Sequence, residues 1–290
     1  MTINDSEPFL LNILKNPRFL EPVYYYILQN NPKTIEEITQ ETVLPPKLMI
    51  DEIIPTLTIL NLVEKSHDVY RVLRPQILPP RLLNSRKFFV NLSILHRLSK
   101  KAKDERGWKK QAVYFLLYRY FVDKRLKIFK SNDGILIEHL NSWFKERGYV
   151  PRSARETRIL LNPQKFDNWI KLAQYCGIVA KLANGNFLVS IDPYLFFEIM
   201  KIFEKTQRIG APCSFLDFLK WIDTNFLPAY KGLTDTSEIV PNPYSYVVAS
   251  LVDFGMIKLM IHGDYQRFKI AEPRLSGRLP NTFSAYRCLK

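Results

Sequence analysis

Three segments of the chain share one pattern, an apolar helix followed by a hairpin, and this repetition constrains the fold more than any other feature. The helical stretches end at Asn61, Gly177 and Gly255, which are residue types that tolerate the left-handed conformation common at a helix end. A strand, a polar turn and a second strand are predicted after each of these ends. The paired strands fall at 63–65 with 69–73, 178–181 with 187–189, and 256–259 with 265–270.

Two more helices precede the helix that leads into each hairpin, so every repeat has the order helix, helix, helix, hairpin. In the first repeat a helix at 22–29 is followed by a short helix capped by Thr34, with Glu37 completing a capping box. A proline opens the third helix of each repeat, at Pro45, Pro163 and Pro243. These third helices end near residues 60, 175 and 254, and the other predicted helices span 86–103, 108–130, 135–146, 193–203 and 215–226.

This order of elements resembles the winged helix-turn-helix superfamily, over about four fifths of the chain. The resemblance implies a mainly α fold with small β-hairpin wings, an α+β tandem winged-helix array. Proteins of this build include transcription regulators, kleisin-binding tandem winged-helix subunits of chromosome-organising complexes, and accessory DNA-binding proteins of bacterial DNA-modification or defence clusters. No motif in the sequence favours one of these families over the others.

The repeats are unequally spaced, with 116 residues from Asn61 to Gly177 and 78 from Gly177 to Gly255. We therefore expect inserted helices and four segments. Residues 1–80 form an acidic first winged-helix unit, 81–192 hold basic helices and the second unit, 193–272 form the third unit, and 273–290 form a basic, mobile tail.

The positive charge of the chain is concentrated in one region. The net charge is +14, and residues 81–130 contain fifteen basic residues against three acidic ones, whereas residues 1–64 contain four against nine. An excess of this size favours phosphate-rich polymers, acidic proteins or anionic membranes as partners. We expect the helices at 86–103 and 108–130 to be amphipathic, with an apolar stripe toward the core and a cationic face outward.

The candidate nucleic-acid-binding residues lie in this basic region and in the second and third repeats. In the superfamily the third helix enters the major groove, where Asn and Gln can pair with adenine and Lys and Arg with guanine. A run of charge is also typical of a solvated helix face, so the cluster carries more weight than any single lysine. The candidates are Lys100, Lys101, Lys103, Lys109, Lys110, Lys124, Arg125, Lys127, Arg152, Arg155, Arg158, Gln164, Lys165, Asn168, Lys171, Lys181, Arg267 and Lys269, with Asn184 and Asn186 in the second turn.

The sequence carries no recognisable catalytic or metal motif. It lacks a phosphate-binding loop, a dinucleotide fingerprint and a His-Glu-x-x-His pair, and its four histidines and three cysteines are widely separated. We expect no enzymatic activity, no cofactor and no metal. No secretory signal is visible, and the longest apolar run, 112–122, is interrupted by Arg119, so we expect a cytoplasmic protein, nucleoid-associated if bacterial, with no membrane contact.

These features lead to one main hypothesis and two alternatives. The main one is a DNA-binding adaptor, in which the basic region and the second and third units bind duplex DNA while the acidic first unit recruits a protein or a second copy of the chain. The first alternative is a structural subunit whose winged helices contact other proteins. The second is an RNA-binding module, which requires exposed aromatic platforms such as Trp108, Tyr114 or Tyr118.

Overall fold

Helices dominate the described part of the chain, and its strands form small sheets of two or three members. This confirms the predicted mainly α fold with small β elements. The computed structural model describes residues 9–30, 32–73, 89–102, 110–124, 128–131, 133–146, 160–207, 212–227, 239–240, 242–263, 265–270, 280 and 282–289. Among these residues, no helix is long and apolar enough to cross a membrane.

The chain divides into two compact units. Unit 1 contains Met1–Leu116 and Ser131–Cys176, and unit 2 contains Leu117–Lys130 and Gly177–Lys290. These two compact units do not coincide with the four segments expected from the sequence. The boundaries and functional roles of those four segments stay predictions.

The first repeat lies in unit 1 and begins after a short N-terminal segment. That segment holds α1 (Leu10–Ile13) and a 3₁₀ turn at Pro17–Phe19. The helices are α2 (Leu20–Gln29), α3 (Ile35–Thr42), α4 (Pro46–Leu48) and α5 (Ile54–Ile59), with a π-helical stretch at Met49–Ile53 joining the last two. The strands are β1 (Lys33–Thr34), β2 (Val63–Ser66) and β3 (Val69–Val72). The predicted capping box is confirmed: the Thr34 hydroxyl accepts from the Glu37 N–H, and the Glu37 carboxylate accepts from the Thr34 N–H.

The middle of the chain supplies the second repeat and the helix before it. The helices are α6 (Phe89–Ala102), α7 (Val113–Asp123) after a 3₁₀ turn at Lys110–Ala112, α8 (Gly134–Glu146) and α9 (Pro163–Tyr175). The strands are β4 (Ile128–Phe129), β5 (Val179–Lys181) and β6 (Phe187–Val189). The Asn162 side chain caps α9 by accepting from the Lys165 N–H at 2.9 Å, and Pro163 occupies the first turn as predicted.

The third repeat lies in unit 2. Its helices are α10 (Pro193–Thr206), α11 (Phe215–Asn225) and α12 (Asn242–Asp253). Its strands are β7 (Cys213–Ser214), β8 (Ile239–Val240), β9 (Ile257–Met260), β10 (Lys269–Ile270) and β11 (Ala285–Cys288).

The three repeats share one sheet topology. The strand orders are β1-β3-β2, β4-β6-β5 and β7-β11-β9, so in each sheet the last strand is central and the short strand before the second helix lies at one edge. All pairings in these three sheets are antiparallel. The predicted helix ends are confirmed, since Asn61, Gly177 and Gly255 all have positive φ, at 50°, 72° and 63°.

The third hairpin differs from the sequence prediction. Strand β9 pairs with β11 at Ala285–Cys288, not with residues 265–270, while Lys269 and Ile270 pair in parallel with Ile239 and Val240. Burial explains the choice, because Phe283, Ala285 and Tyr286 are completely buried, and burying such groups stabilises the sheet. The expectation of a mobile tail is therefore wrong for residues 282–289.

Helix α7 also differs from its prediction. It ends at Asp123 instead of running to residue 130, and Ile128–Phe129 form a strand. Every side chain from Gln111 to Val122 is buried except Arg119, which is half-buried and bonded to Asp123 at 3.4 Å. A helix that is apolar on all sides is typical of a protein core. The expected outward cationic face is therefore absent from residues 111–122, and the basic residues of this region lie before and after them in the sequence.

Candidate nucleic-acid interface

The second sheet places two exposed lysines at one of its ends. The central strand β6 pairs Phe187 with Phe129 on one side and with Lys181 on the other. Lys130 follows Phe129 directly, so Lys130 and Lys181 emerge at the same end of the sheet, and both side chains are exposed. The basic region of the sequence therefore leads directly to the second hairpin.

Aromatic packing fixes the position of Lys130. The Phe129 ring stacks on Phe187 with centroids 5.6 Å apart, and it also contacts Phe121 of α7 at 4.6 Å. Phe129 is buried whereas its neighbours Ile128 and Lys130 are exposed, as strand alternation requires. Lys130 was not among the predicted site residues, because residues 128–130 were predicted to end a helix; the alternation from Ile128 to Lys130 was the available signal.

The hairpin turn beside these lysines is held by its own hydrogen bonds. The Leu182 N–H donates to the Asn186 carbonyl at 2.8 Å, and the Gly185 N–H donates to the Leu182 carbonyl at 3.0 Å. The Asn184 side-chain oxygen accepts from the Asn186 N–H at 3.1 Å. Gly185 has a φ of 80°, which glycine adopts without strain. We name Lys130, Lys181, Asn184 and Asn186 the turn-end surface.

The turn-end surface contains donors suited to phosphate oxygens. Lysine ammonium groups and asparagine amides both donate to phosphates in nucleic-acid complexes. No acidic residue occurs in the hairpin from Lys181 to Phe187. Lys124, another sequence candidate of unit 2, is exposed just after α7.

The first repeat has a lysine, Lys65, at the position equivalent to Lys181, but a neighbouring carboxylate offsets its charge. Lys65 lies four residues after Asn61, as Lys181 does after Gly177, and each is paired with an aromatic residue of the central strand. The Lys65 ammonium, however, lies 4.0 Å from the Asp68 carboxylate and 5.9 Å from the centroid of the Tyr70 ring. The first hairpin thus carries acids where the second carries amides.

The sequence candidates on α9 have mixed surroundings. Gln164 is exposed. The Lys165 ammonium donates to the Leu160 carbonyl at 2.8 Å, and partial burial lowers the pKa of Lys165. Lys171 is exposed but lies 2.7 Å from the Asp167 carboxylate, which offsets its charge. This helix therefore offers little uncompensated charge.

The prediction that Asn168 is a nucleic-acid-binding residue is contradicted by its burial. It was expected on the outward face of α9, yet its side chain is buried and its amide donates to the Leu11 carbonyl at 2.9 Å. Leu11 belongs to the N-terminal segment, which covers this face of the helix. Asn168 is therefore unavailable for a base contact in this structure.

The third-repeat candidates lie outside the hairpin strands. Arg267 and Lys269 are exposed, but they belong to the chain between β9 and β11. The hairpin instead pairs Lys258 directly with Arg287, and both are exposed. Arg287 was predicted to lie in a mobile tail; the β-favouring Tyr286 beside Arg287 was the signal for a strand.

The remaining candidates cannot be placed. Lys100 and Lys101 belong to α6 and Lys110 to the 3₁₀ turn, but the structure does not describe their side chains. The other candidates lie outside the described residues, namely Lys103, Lys109, Arg125, Lys127, Arg152, Arg155 and Arg158.

Two of the three aromatic residues named as RNA platforms are buried. Tyr114 and Tyr118 lie inside the core, whereas Trp108 is outside the described residues. Burial raises the pKa of Tyr118 well above its usual value, as expected for a phenol removed from water. Neither tyrosine can stack on an unpaired base without unfolding.

No cluster of three or more metal-ligating side chains occurs within the residues that the structure covers.

Comparison of the chain with protein-family models, with curated proteins and with solved structures finds no match in any of the three.

Proposed function

We propose that this protein is a tandem winged-helix adaptor that binds duplex DNA without catalysing a reaction. The support for the winged-helix assignment is the shared order of helices and strands and the central position of the last strand in all three sheets. Three copies of one topology are the mark of a repeat architecture. We place the adaptor in the cytoplasm, on the nucleoid in a bacterium.

One observation carries the DNA-binding assignment. The strongly basic stretch of residues 81–130 ends at Lys130, at the same end of the second sheet as Lys181 and the amide-rich turn. The hairpin from Lys181 to Phe187 contains no acidic residue. Cationic side chains attract a polyanion and release its counterions, which is the main source of affinity in backbone binding. Duplex DNA is the partner that this arrangement fits best.

The first repeat has the opposite character and suits a protein partner or a second copy of the chain. Its outward cross-strand residues Glu64 and Arg71 form an ion pair, and its acidic residues disfavour phosphates. Two apolar side chains stand in solvent, Val43 at 86% exposure and Ile50 at 53%. Exposed apolar side chains become buried when a protein partner covers them, which is the contribution that Val43 and Ile50 would make to such a contact.

These exposed residues also support the second candidate function, a structural subunit in a larger nucleoprotein or defence complex. In that role a stoichiometric partner remains bound during purification, and Ile50→Ser releases it. An unchanged complex with Ile50→Ser and a lost complex with Lys181→Glu would instead place the partner on the cationic surface.

The experiment that tests DNA binding compares equivalent lysines in two repeats. Duplex affinity is measured by fluorescence anisotropy for the wild type, for the double variant Lys130→Glu and Lys181→Glu, and for Lys65→Glu as the matched control. We expect the double variant to lose at least about tenfold in affinity and the control to lose less than about twofold. Equal losses, or no loss in either, would contradict the proposal.

A further inference from the structure

The N-terminal segment lies against the third helices of both repeats that contribute helices to unit 1. Its side chains Leu10, Leu11 and Leu14 are almost completely buried. Buried backbone groups of such a segment need hydrogen-bond partners, and side chains of the third helices supply several of them.

In the first repeat the partner is Glu52, in the π-helical stretch between α4 and α5. Its carboxylate is buried and accepts from the Lys15 N–H at 2.8 Å and from the Asn16 N–H. The second carboxylate oxygen accepts from the Asn16 amide at 3.2 Å. This acidic side chain is thus used inside the protein.

In the second repeat the partner is Asn168, whose amide donates to the Leu11 carbonyl. Glu52 lies nine residues before Asn61, and Asn168 lies nine residues before Gly177, so the two side chains occupy the same position of the repeat. One short segment therefore covers the equivalent face of two third helices.

The third helix of the third repeat, α12, is also inaccessible, because its own side chains are buried or half-buried from Pro243 to Asp253. From Pro243 to Asp253, no residue of α12 is exposed, and most are fully buried. Tyr246, nine residues before Gly255, is half-buried. Its polar side chains at helical spacing, Tyr246, Ser250 and Asp253, are all half-buried, so residues 243–253 present no exposed polar group to a groove.

Few exposed groups therefore remain on the three third helices. The exposed polar or charged side chains are Lys47, Asp51 and Thr58 on the first, Gln164 and Lys171 on the second, and none on α12 in the range 243–253. Asp51 repels phosphates, and Lys171 lies beside Asp167. Direct readout requires several donors and acceptors that project together from one element into the groove, and each good base contact changes affinity about 5- to 150-fold.

We infer that the protein binds duplex DNA without regard to base sequence, because its own N-terminal segment and core occupy the helix faces that would read the bases. This inference rests on the proposed function and narrows its substrate to the regular phosphate backbone of any duplex. The contacts then come from hairpin and flanking residues such as those of the turn-end surface.

A selection experiment with the full-length chain tests this inference. The protein is mixed at low salt with a library of duplexes carrying about twelve randomised base pairs, and the retained duplexes are sequenced after several rounds. We expect retention without enrichment of any motif, and dissociation constants of unrelated duplexes that agree within about threefold. An enriched motif that binds more than about tenfold tighter than its scrambled version would overturn the inference while leaving DNA binding intact.

Two variants make the result sharper. Combining Gln164→Ala with Lys171→Ala removes the exposed polar groups of α9, and we expect it to change the affinity for every duplex by less than about twofold. Combining Lys130→Ala with Lys181→Ala should weaken all duplexes by one common factor. Sequence-dependent losses in either variant would overturn the inference, and a wild-type protein that retains no duplex at all would overturn the proposed function and the inference with it.

Discussion

Asn168 illustrates how a single polar side chain can be misplaced by its sequence context. Its helical neighbours Phe166, Trp169 and Ile170 define an inner face, and helical periodicity puts Asn168 outside that face. Its partner Leu11 is 157 residues away in the sequence. Leu172, one turn after Asn168 on the same side of the helix, is also buried and was the available signal, but periodicity does not identify the distant segment that covers this side.

Replacing Asn168 by alanine should therefore reduce stability. The Leu11 carbonyl would lose its donor while remaining buried, which costs about 1–3 kcal/mol in the free energy of unfolding. Urea denaturation measures this loss, and Gln164→Ala, an exposed neighbour on the same helix, serves as the control with a change within about 0.5 kcal/mol. A stable Asn168→Ala protein with weakened DNA binding would show that the side chain contacts DNA instead.

The glycines at two helix ends provide a second test at this scale. Gly177 and Gly255 both have positive φ, but a Cβ added at Gly177 would lie 3.2 Å from the Asp192 Cβ and 3.3 Å from Leu195 Cδ2, whereas one added at Gly255 meets nothing within 4 Å. We expect Gly255→Ala to cost about 1 kcal/mol through backbone strain and Gly177→Ala to cost more. Thermal or urea unfolding compares them, and an equal or reversed order would contradict this account.

Among the helices and strands, local signals were sufficient for some elements and not for others. Neighbouring residues determine the capping box at Thr34, the start of α9 at Pro163 and the left-handed helix ends at Asn61, Gly177 and Gly255, and the sequence predicts these features correctly. They required no knowledge of the rest of the molecule.

Long-range packing decided the elements that were predicted wrongly. Strand β9 had a nearby candidate partner at 265–270, but it pairs with β11, whose Tyr286 ring is buried against Phe215 and Phe218. The burial of α7 likewise depends on elements distant in sequence. Three of the four members of the turn-end surface, Lys181, Asn184 and Asn186, were predicted from the sequence, whereas Lys130 depends on strand β4, which was not predicted.

The outward cross-strand pair at the start of each hairpin differs among the repeats. It is Glu64 with Arg71 in the first, Ala180 with Leu188 in the second, and Lys258 with Arg287 in the third. Like charges placed opposite each other destabilise a sheet, and opposite charges stabilise it.

Lys258→Glu should therefore raise the stability of the third sheet by recreating the charge arrangement of the first. We expect a gain of about 0.2–1 kcal/mol in the free energy of unfolding, measured by urea denaturation at low salt and reduced at high salt. The converse variant, Glu64→Lys, should lower stability by a similar amount. If both variants shift stability in the same direction, cross-strand charge does not control these hairpins.

At the scale of the whole molecule, charge is divided along the chain. The first 64 residues carry an excess of acids, whereas residues 81–130 account for most of the net positive charge. In the described part of the chain, the third helices present few exposed polar groups, whereas the second hairpin has exposed lysine and asparagine side chains and no acidic residue of its own. The protein therefore combines a helical scaffold stabilised by its own polar groups with a cationic surface that can exchange counterions for phosphates.

The salt dependence of duplex binding tests this account most directly. The logarithm of the association constant should fall linearly with the logarithm of salt concentration between about 50 and 200 mM, with a slope of about −0.9 per neutralised phosphate. Replacing both Lys130 and Lys181 by alanine should make the slope less steep by nearly two such increments, while Lys65→Ala leaves it unchanged. Binding that is insensitive to salt, or a slope that is the same in all three proteins, would contradict a backbone grip by the turn-end surface.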